Sequence, residues 1–238
     1  MTLTLSLPFS LRMTGAVQSP YSNQQISVWL RGLLAVAWAD GNFDEQEKAL
    51  ISDLTEIELA PKTELEGAAH IMPEAVAEGL GNDPKTAENF LRTAVMVAIA
   101  DGTYSAAEDR LLQDYCTALN LQPAVLDSLR HTLIQTNDSG TVDRFADLSD
   151  EHYLPVLAPI QEWLDGLEVQ DPRLARFLCK MIPPQCPFER DVVLFGRKII
   201  HIPAMCKLNP LYEQLVGLRF RALSYLADDC GEDVTPYC

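Results

Sequence analysis

One repeated motif constrains the fold of this chain more than any other feature of its sequence. Residues 37–47 and 98–108 both read A-x-A-D-G-x-[FY]-x-x-x-E, and each copy follows a strongly apolar stretch. A glycine readily adopts the left-handed conformation that ends a helix, and a polar residue followed three positions later by glutamate can start the next one as a capping box. The repeat therefore predicts two helix hairpins. The two predicted capping boxes are Asp44-x-x-Glu47 and Ser105-x-x-Glu108.

The spacing of the motif excludes a calcium loop of the EF-hand type. That loop needs glycine at its sixth position and a bidentate glutamate at its twelfth. Counted from Asp40, these positions hold Glu45 and Ile51. Counted from Asp101, the twelfth position holds Leu112. The glycine and glutamate of the repeat are therefore better interpreted as parts of a helix connection, with the motif's aromatic residue packed into the core.

The aspartates of the motif, Asp40 and Asp101, need an explanation of their own. Each is predicted to lie in the last turn of an apolar helix, where the helix dipole disfavours an anion by about 0.3–1 kcal/mol. One explanation is structural, because carboxylates accept hydrogen bonds from the free amides at the start of the next helix. The other is a divalent cation held between the two copies. The residues alone leave both explanations open.

The paired hairpins in an acidic helical segment resemble the TerB-like (tellurite resistance) domain over roughly residues 22–136. The resemblance implies a helical bundle with two pseudo-symmetric halves and an acidic pocket proposed to bind a divalent cation, Ca²⁺ or Mg²⁺. Ser105 departs from the pattern, because the second copy then has no acid opposite Asp44. The residues that the resemblance assigns to the pocket are Asp40, Asp44, Glu47, Asp101 and Glu108.

Helix signals dominate the rest of the chain and predict an all-α fold. The runs ISVWLRGLLAVAWA and FLRTAVMVAIA are apolar nearly all round, as buried central helices are. Gly231 follows a long helical pattern and predicts its end. An N-cap residue followed by proline predicts three helix starts. These starts are Asp83-Pro84, Asp171-Pro172 and Asn209-Pro210.

Two segments interrupt the helical pattern. Residues 137–150 are polar, rich in turn formers and without a clear period, which predicts a linker between residues 22–136 and a smaller helical domain at residues 151–238. Residues 191–203, DVVLFGRKIIHIP, are ambiguous, because their β-branched side chains would also suit a short hairpin across Gly196. We favour a helix for this second segment.

The charge distribution excludes one broad class of partner. The chain has a formal net charge of −16, and nonspecific binding to nucleic acid requires a basic surface. Residues 1–172 carry 27 acidic and nine basic residues, whereas residues 173–221 carry three acidic and nine basic ones. We therefore expect two domains of opposite charge, with Arg219 and Arg221 pairing with the acidic domain. The sequence contains no recognisable secretory signal or bilayer-spanning run, so we expect a cytoplasmic protein.

Five of the six cysteines lie in the last sixty residues, without a C-x-x-C pair. Cys116 and Cys179 fall in helical runs and are predicted to be buried apolar residues. The other four lie at turns and would supply four thiolates to Zn or to a [4Fe–4S] cluster, with His201 as a substitute ligand. Unlinked buried thiols and a redox disulfide are the alternatives. The four candidate ligands are Cys186, Cys206, Cys230 and Cys238.

The same cysteine-rich tail resembles a known family. The blocks CPFER, CKLNPLYEQL, GLRFRAL and YLADDCGED are similar to the family labelled Mo-dependent nitrogenase C-terminal, which occurs mainly in cyanobacteria. The resemblance covers essentially residues 180–238 and supplies no established activity. The chain lacks a P-loop and has no room for a cofactor-bearing α/β core, so we do not expect a nitrogenase subunit.

The motifs of common enzyme classes are missing from the sequence, including G-x-S-x-G, H-E-x-x-H and G-x-G-x-x-G. The sequence therefore favours a non-enzymatic interaction, sensing or assembly protein with a protein partner. One alternative is an Fe–S redox carrier, or an accessory to a redox enzyme, that uses the same cysteines. Another alternative, which we favour less, is a peripheral protein that docks on an anionic membrane surface through its basic segment.

Overall fold

The computed structural model describes residues 18–39, 71–100, 104–121, 126–127, 129, 154–182, 190–194, 197–202 and 211–238. Seven α-helices have their bounds within these residues, and helices make up most of the described fold. They are α1 (Asn23–Ala37), α2 (Pro73–Leu80), α3 (Pro84–Ala98), α4 (Ala106–Ala118), α5 (Leu154–Asp165), α6 (Pro172–Met181) and α7 (Tyr212–Ser224). The predicted all-α class is therefore confirmed for the scaffold, with one two-stranded exception described below.

Three predicted helix starts are confirmed, at Asp83, Ser105 and Asp171. Asp83 caps α3 by accepting a hydrogen bond from the backbone N–H of Thr86, and Asp171 caps α6 in the same manner. Ser105 forms both halves of the predicted capping box at the start of α4, and its partner is Glu108. These caps satisfy amide groups that would otherwise have no partner at a helix terminus.

A chain of aromatic rings holds the N-terminal helices together. Trp29 of α1 lies with its ring centroid 5.8 Å from that of Phe90 on α3, and Phe90 lies 5.2 Å from Tyr115 on α4. Gly32 makes this packing feasible, because a β-carbon there would lie 2.8 Å from the Phe90 ring. The Tyr115 hydroxyl donates a hydrogen bond of 3.1 Å to the Gly32 carbonyl. Helices α1, α3 and α4 thus form the centre of the core.

The C-terminal helices share this core. Helix α6 packs on α1 and α7, and α5 packs on α3 and α7. The buried apolar residues of all these elements belong to one continuous cluster, which includes Leu34, Phe90, Leu164, Phe177 and Leu218. The segments assigned from sequence to two separate domains are therefore packed against each other.

The segment for which we favoured a helix, residues 191–203, contains a β-hairpin. Strand β1 (Arg190–Leu194) pairs antiparallel with strand β2 (Arg197–Ile202), and the register shifts between Val192 and Val193. The helix prediction for residues 191–203 is wrong. The physical reason is the β-branched content of VV and II on either side of a glycine, a pattern that suits strands joined by a tight turn.

The last helix begins later than predicted and ends as predicted. Helix α7 begins at Tyr212 with Leu211 as its N-cap, two residues after the proposed Asn209-Pro210 start. At its other end the chain widens into a π-helical turn, Tyr225–Asp229. Gly231 then adopts a φ of 66°, the left-handed conformation expected of a helix-ending glycine.

Candidate functional site

Helix α7 carries two of the large apolar side chains that are exposed among the described residues. Phe220 is 69% exposed and Val216 is 44% exposed, and they stand one helical turn apart. Between them lies Gly217, where an added β-carbon would meet no described atom within 4 Å. We call these three residues the α7 ridge. A large aromatic side chain on the surface, beside a second apolar residue, is a feature typical of contact sites.

A shallow cleft of about 440 Å³ runs beside the ridge. Its walls combine the apolar side chains of Leu167, Val169 and Phe220 with Tyr225 and Arg221. The Tyr225 hydroxyl donates a 2.9 Å hydrogen bond to the Gln170 carbonyl, and burial raises the pKa of Tyr225 to about 12. The phenol is therefore a fixed, neutral wall of the cleft.

Arg219 anchors the inner face of α7. Its Nε donates a 2.9 Å hydrogen bond to the Ile182 carbonyl, and its Nη2 donates to the Tyr237 carbonyl. Arg221 Nη1 donates a 2.8 Å hydrogen bond to the Asp165 carbonyl. Both arginines therefore bond to backbone carbonyls, and Arg221 also interacts with the charge of Asp165. Their expected pairing with carboxylates of the acidic domain stays a prediction. Asp165 and Ile182 stand at the C-terminal ends of α5 and α6, where carbonyls without a helical partner attract cations.

Only part of the proposed thiolate site falls within the described residues. Cys230 directly follows the π-helical turn and is partly exposed, while Cys238 is exposed. Burial raises the pKa of the Cys230 thiol. Cys186 and Cys206 lie outside the described residues, so the distances among the four thiols are not described either. Zn or [4Fe–4S] ligation by these four residues stays a prediction.

The two cysteines predicted to be buried are buried. Cys116 is 5% exposed and Cys179 is 3% exposed, and both belong to the apolar core. Burial raises the pKa of Cys116 to about 12 and that of Cys179 to about 11. Within the described ranges, no group of three or more His, Cys, Asp or Glu side chains could hold a metal ion.

The structure describes one of the five acidic residues assigned to the proposed pocket, Glu108 of the second copy. Asp40, Asp44, Glu47 and Asp101 lie outside the described residues. Glu108 is buried, and its Oε2 accepts a 2.7 Å hydrogen bond from the Ser105 backbone N–H. This contact gives Glu108 the structural role that the capping-box interpretation predicted. The proposed divalent-cation role of the five acidic residues stays a prediction.

The aromatic residue of the second copy has a partner that the sequence pattern did not indicate. Tyr104 is 4% exposed, which confirms that it packs into the core. Its hydroxyl donates a 3.1 Å hydrogen bond to Asp109 Oδ1. Asp109 occupies the position where a hydrophobic partner normally completes the staple at a helix start. The pair is thus a polar variant of that staple. The hydroxyl group of Tyr104 was the sequence feature that could have indicated a polar partner.

A second cleft, of about 540 Å³, separates the start of α3 from the segment between α5 and α6. Its principal polar side chains are already engaged. Asn89 bonds to the backbone of Glu168, and Glu88 accepts hydrogen bonds from Arg92 and from Trp163. Because these groups bond to one another, the cleft is better interpreted as a joint between helices than as a ligand site.

Comparison with known proteins identifies one segment of the chain. Residues 156–238 match the family model described as Mo-dependent nitrogenase C-terminus. The matched module begins inside α5 and contains α6, the hairpin, α7 and the ridge. The match confirms the family resemblance of the tail, whereas the TerB-like resemblance of residues 22–136 stays a prediction.

The other comparisons add no relatives. No curated protein and no solved structure matches the chain significantly. Among the helices that the structure describes, none is both long enough and apolar enough to cross a membrane.

Proposed function

We propose that this chain is a non-enzymatic interaction, sensing or assembly protein whose contact surface is the α7 ridge. One observation carries this function. Large apolar side chains of the described residues are exposed at three positions, and two of them, Val216 and Phe220, share one helix face in the matched module. Interfaces concentrate their binding energy in a few such anchors, aromatic residues above all.

The remainder of the described fold supports a scaffold role. The helices on both sides of the proposed linker share one apolar core, so the module is held in a fixed place against the N-terminal helices. A rigid support lowers the entropic cost of ordering a contact surface when a partner binds. The description of the matched family names nitrogenase, but we propose an accessory role and not nitrogenase catalysis.

Photo-crosslinking tests the contact surface directly. A benzophenone amino acid replaces Phe220 in the full chain, and a matched control carries it at Met72, which is 67% exposed on the N-terminal side of α2. We expect a discrete adduct of one mass from position 220 and none from position 72 after illumination in cells. Equal labelling from both positions, or no adduct from position 220, would contradict the contact surface.

A TerB-like arrangement of residues 22–136 is part of the same proposal. The capping box of Ser105 and the buried Tyr104 support it, because both serve a helix hairpin of the predicted type. The acidic pocket would then bind Ca²⁺ or Mg²⁺ weakly. A ligand that binds only the folded state raises its stability. Thermal midpoints that do not change with millimolar Ca²⁺ or Mg²⁺ would leave these acids with a structural role alone.

A second candidate function is a thiolate-bound metal centre in the module. The position of Cys230 and Cys238 supports it, since both thiols reach the surface while Cys116 and Cys179 are buried in the core. Cys186 and Cys206 would complete four thiolates, a donor set that suits Zn and [4Fe–4S] alike. Bound Zn would stabilise the fold, whereas a cluster would also support a redox carrier.

Metal analysis with an absorption spectrum decides between these centres. Anaerobically purified full-length protein would contain one Zn per chain and no visible absorbance, or four Fe with a broad visible band that bleaches on reduction. The Cys230→Ser plus Cys238→Ser double variant should lose the metal, and the Cys116→Ser variant serves as the matched control. Metal-free protein with freely alkylated thiols would eliminate the second candidate.

A further inference from the structure

Residues 232–238 are fastened to α6 and α7 by two arginine side chains. At the first point, the Glu232 carboxylate accepts hydrogen bonds of 2.8 Å from Arg176 Nε and of 3.0 Å from Arg176 Nη2 on α6. At the second point, Arg219 of α7 donates to the carbonyl of Tyr237 and also to that of Ile182, just after α6. We call residues 232–238 the strap, because the segment is attached at both of its ends.

The two attachment points of the strap lie on either side of Cys179 on α6. Cys179 follows Arg176 by three residues and precedes Ile182 by three, and residues three apart are neighbours on a helix surface. The thiol is 3% exposed. Burial raises the pKa of Cys179 to about 11, and the charges at both ends of the strap raise it further. The strap therefore passes beside this buried thiol.

Polar contacts, rather than buried surface, hold the strap in place. None of residues 232–238, all of which the structure describes, is fully buried, and only Val234 and Tyr237 pack partly against the apolar core. Helices α6 and α7, in contrast, contribute many fully buried side chains to that core. A segment with few buried apolar contacts opens at a lower free energy than the whole fold. We therefore expect the strap to open while the helices stay folded.

We propose that the strap is a hinged cover over Cys179, which opens as a unit and exposes this thiol while the helical core stays folded. Gly231 supplies the hinge, because it directly precedes the strap and a glycine absorbs large changes of φ and ψ. The ion pair of Arg176 and Glu232 is the contact that opening breaks. This device is independent of the proposed contact function of the α7 ridge.

Thiol labelling of the full-length chain tests the cover. Wild type, Glu232→Ala and the control Asp228→Ala are treated with iodoacetamide in the presence of a chelator, so that no metal holds the strap closed. Asp228 is an exposed acid of the π-helical turn, outside the strap, and its replacement removes the same charge. Peptide mass spectrometry follows Cys179 and, as an internal control on α4, Cys116.

The expected result is a change at one thiol only. Glu232→Ala removes a charge-assisted contact and raises the population of the open strap, so we expect Cys179 to react about tenfold faster than in wild type. Cys116 should keep its wild-type rate in every variant, because it is buried among the N-terminal helices. Asp228→Ala should label like wild type at both thiols.

Each other outcome would overturn the cover. An unchanged Cys179 rate in Glu232→Ala would mean that the helices alone bury this thiol. A parallel rise of Cys179 and Cys116 would mean that both thiols are exposed by unfolding of the common core. An equal rise of Cys179 in Asp228→Ala would assign the effect to the loss of an acid in general and not to the ion pair with Arg176.

Discussion

The side-chain amide of Asn89 pairs with both backbone groups of Glu168. Asn89 Nδ2 donates a 2.7 Å hydrogen bond to the Glu168 carbonyl, and the Glu168 backbone N–H donates a 3.0 Å hydrogen bond to Asn89 Oδ1. Asn89 is buried on α3, whereas Glu168 belongs to the segment that joins α5 to α6. These two hydrogen bonds therefore hold the matched module against the N-terminal helices, and they do so through the backbone of Glu168.

Replacement of Asn89 should loosen this joint. We expect Asn89→Ala to lower the free energy of unfolding by about 2 kcal/mol, because it leaves two backbone groups of Glu168 without their partner. Urea denaturation followed by circular dichroism measures the loss. Asn82→Ala is the matched control, since Asn82 is an exposed asparagine just ahead of α3.

A variant of the Glu168 side chain tests more sharply whether the contact with Asn89 depends on the backbone. Because the contact uses the backbone of Glu168, the Glu168→Ala variant should remain within about 0.5 kcal/mol of wild type. A loss as large as that of Asn89→Ala would mean that the side chain, and not the backbone pairing, holds the segment.

Asp171 should make the stability of the fold depend on acid pH. Its carboxylate is fully buried, and although burial opposes the charge, hydrogen bonds from Arg173 and Ser19 lower its pKa below the ordinary value. A lowered pKa in the folded state means that the unfolded chain binds protons first. The stabilisation is therefore complete above pH about 4 and is lost as the pH falls through the folded pKa.

The Asp171→Asn variant isolates this effect. It keeps an N-cap oxygen but loses the charge that faces Arg173. We expect it to be about 1–2 kcal/mol less stable than wild type at pH 7, with a difference that shrinks toward pH 3. Asp114→Asn removes an exposed carboxyl and serves as control. A constant gap between Asp171→Asn and wild type at all pH values would rule out the charge as the cause.

Local signals were the part of this fold that the sequence could predict. The caps at Asp83, Ser105 and Asp171 depend on residues a few positions apart, and all three were correct. Contacts between elements that are distant in the chain could not be predicted from the sequence in this way. No periodicity indicates that Asn89 meets Glu168, because that contact depends on how α3 and α5 pack together in the fold.

The candidate site shows the same contrast between local sequence signals and contacts of distant elements. The apolar residues of α7 were recognisable, but which of them would remain uncovered depends on the packing of α5 and α6. Arg219 and Arg221 were expected to pair with carboxylates because net charge was the only guide, and their contacts with backbone carbonyls depend on the fold. The exposed Phe220 and the empty space at Gly217 could be recognised only after α7 had its place.

Arg219 should be the most sensitive position in the matched module. It is buried and joins α7 to the carbonyls of Ile182 and Tyr237. We expect Arg219→Met to cost about 3 kcal/mol in the free energy of unfolding, because two carbonyls lose a charged donor. Arg219→Lys should recover only part of this, since an ammonium lacks the planar fork of the guanidinium. Arg110→Met, at an exposed site on α4, is the control.

The thiols should react in an order that reflects their burial. Alkylation proceeds through the thiolate, and burial raises the pKa of Cys116 to about 12 and of Cys179 to about 11. At pH 8 we expect iodoacetamide to modify the exposed Cys238 first, and to modify Cys116 and Cys179 only in denaturant. Peptide mass spectrometry after timed quenching measures each rate, with fully unfolded protein as the control.

The same experiment reports on the proposed metal centre. If Cys230 and Cys238 bind Zn or a cluster, both should be protected in anaerobic protein, and a chelator or an oxidant should expose them together. A metal ion withdraws the thiolate electrons that alkylation requires, so protection of an exposed thiol has no packing explanation. Rapid alkylation of Cys238 before any chelator is added would leave that residue outside the centre, and burial alone would then account for the order of reaction.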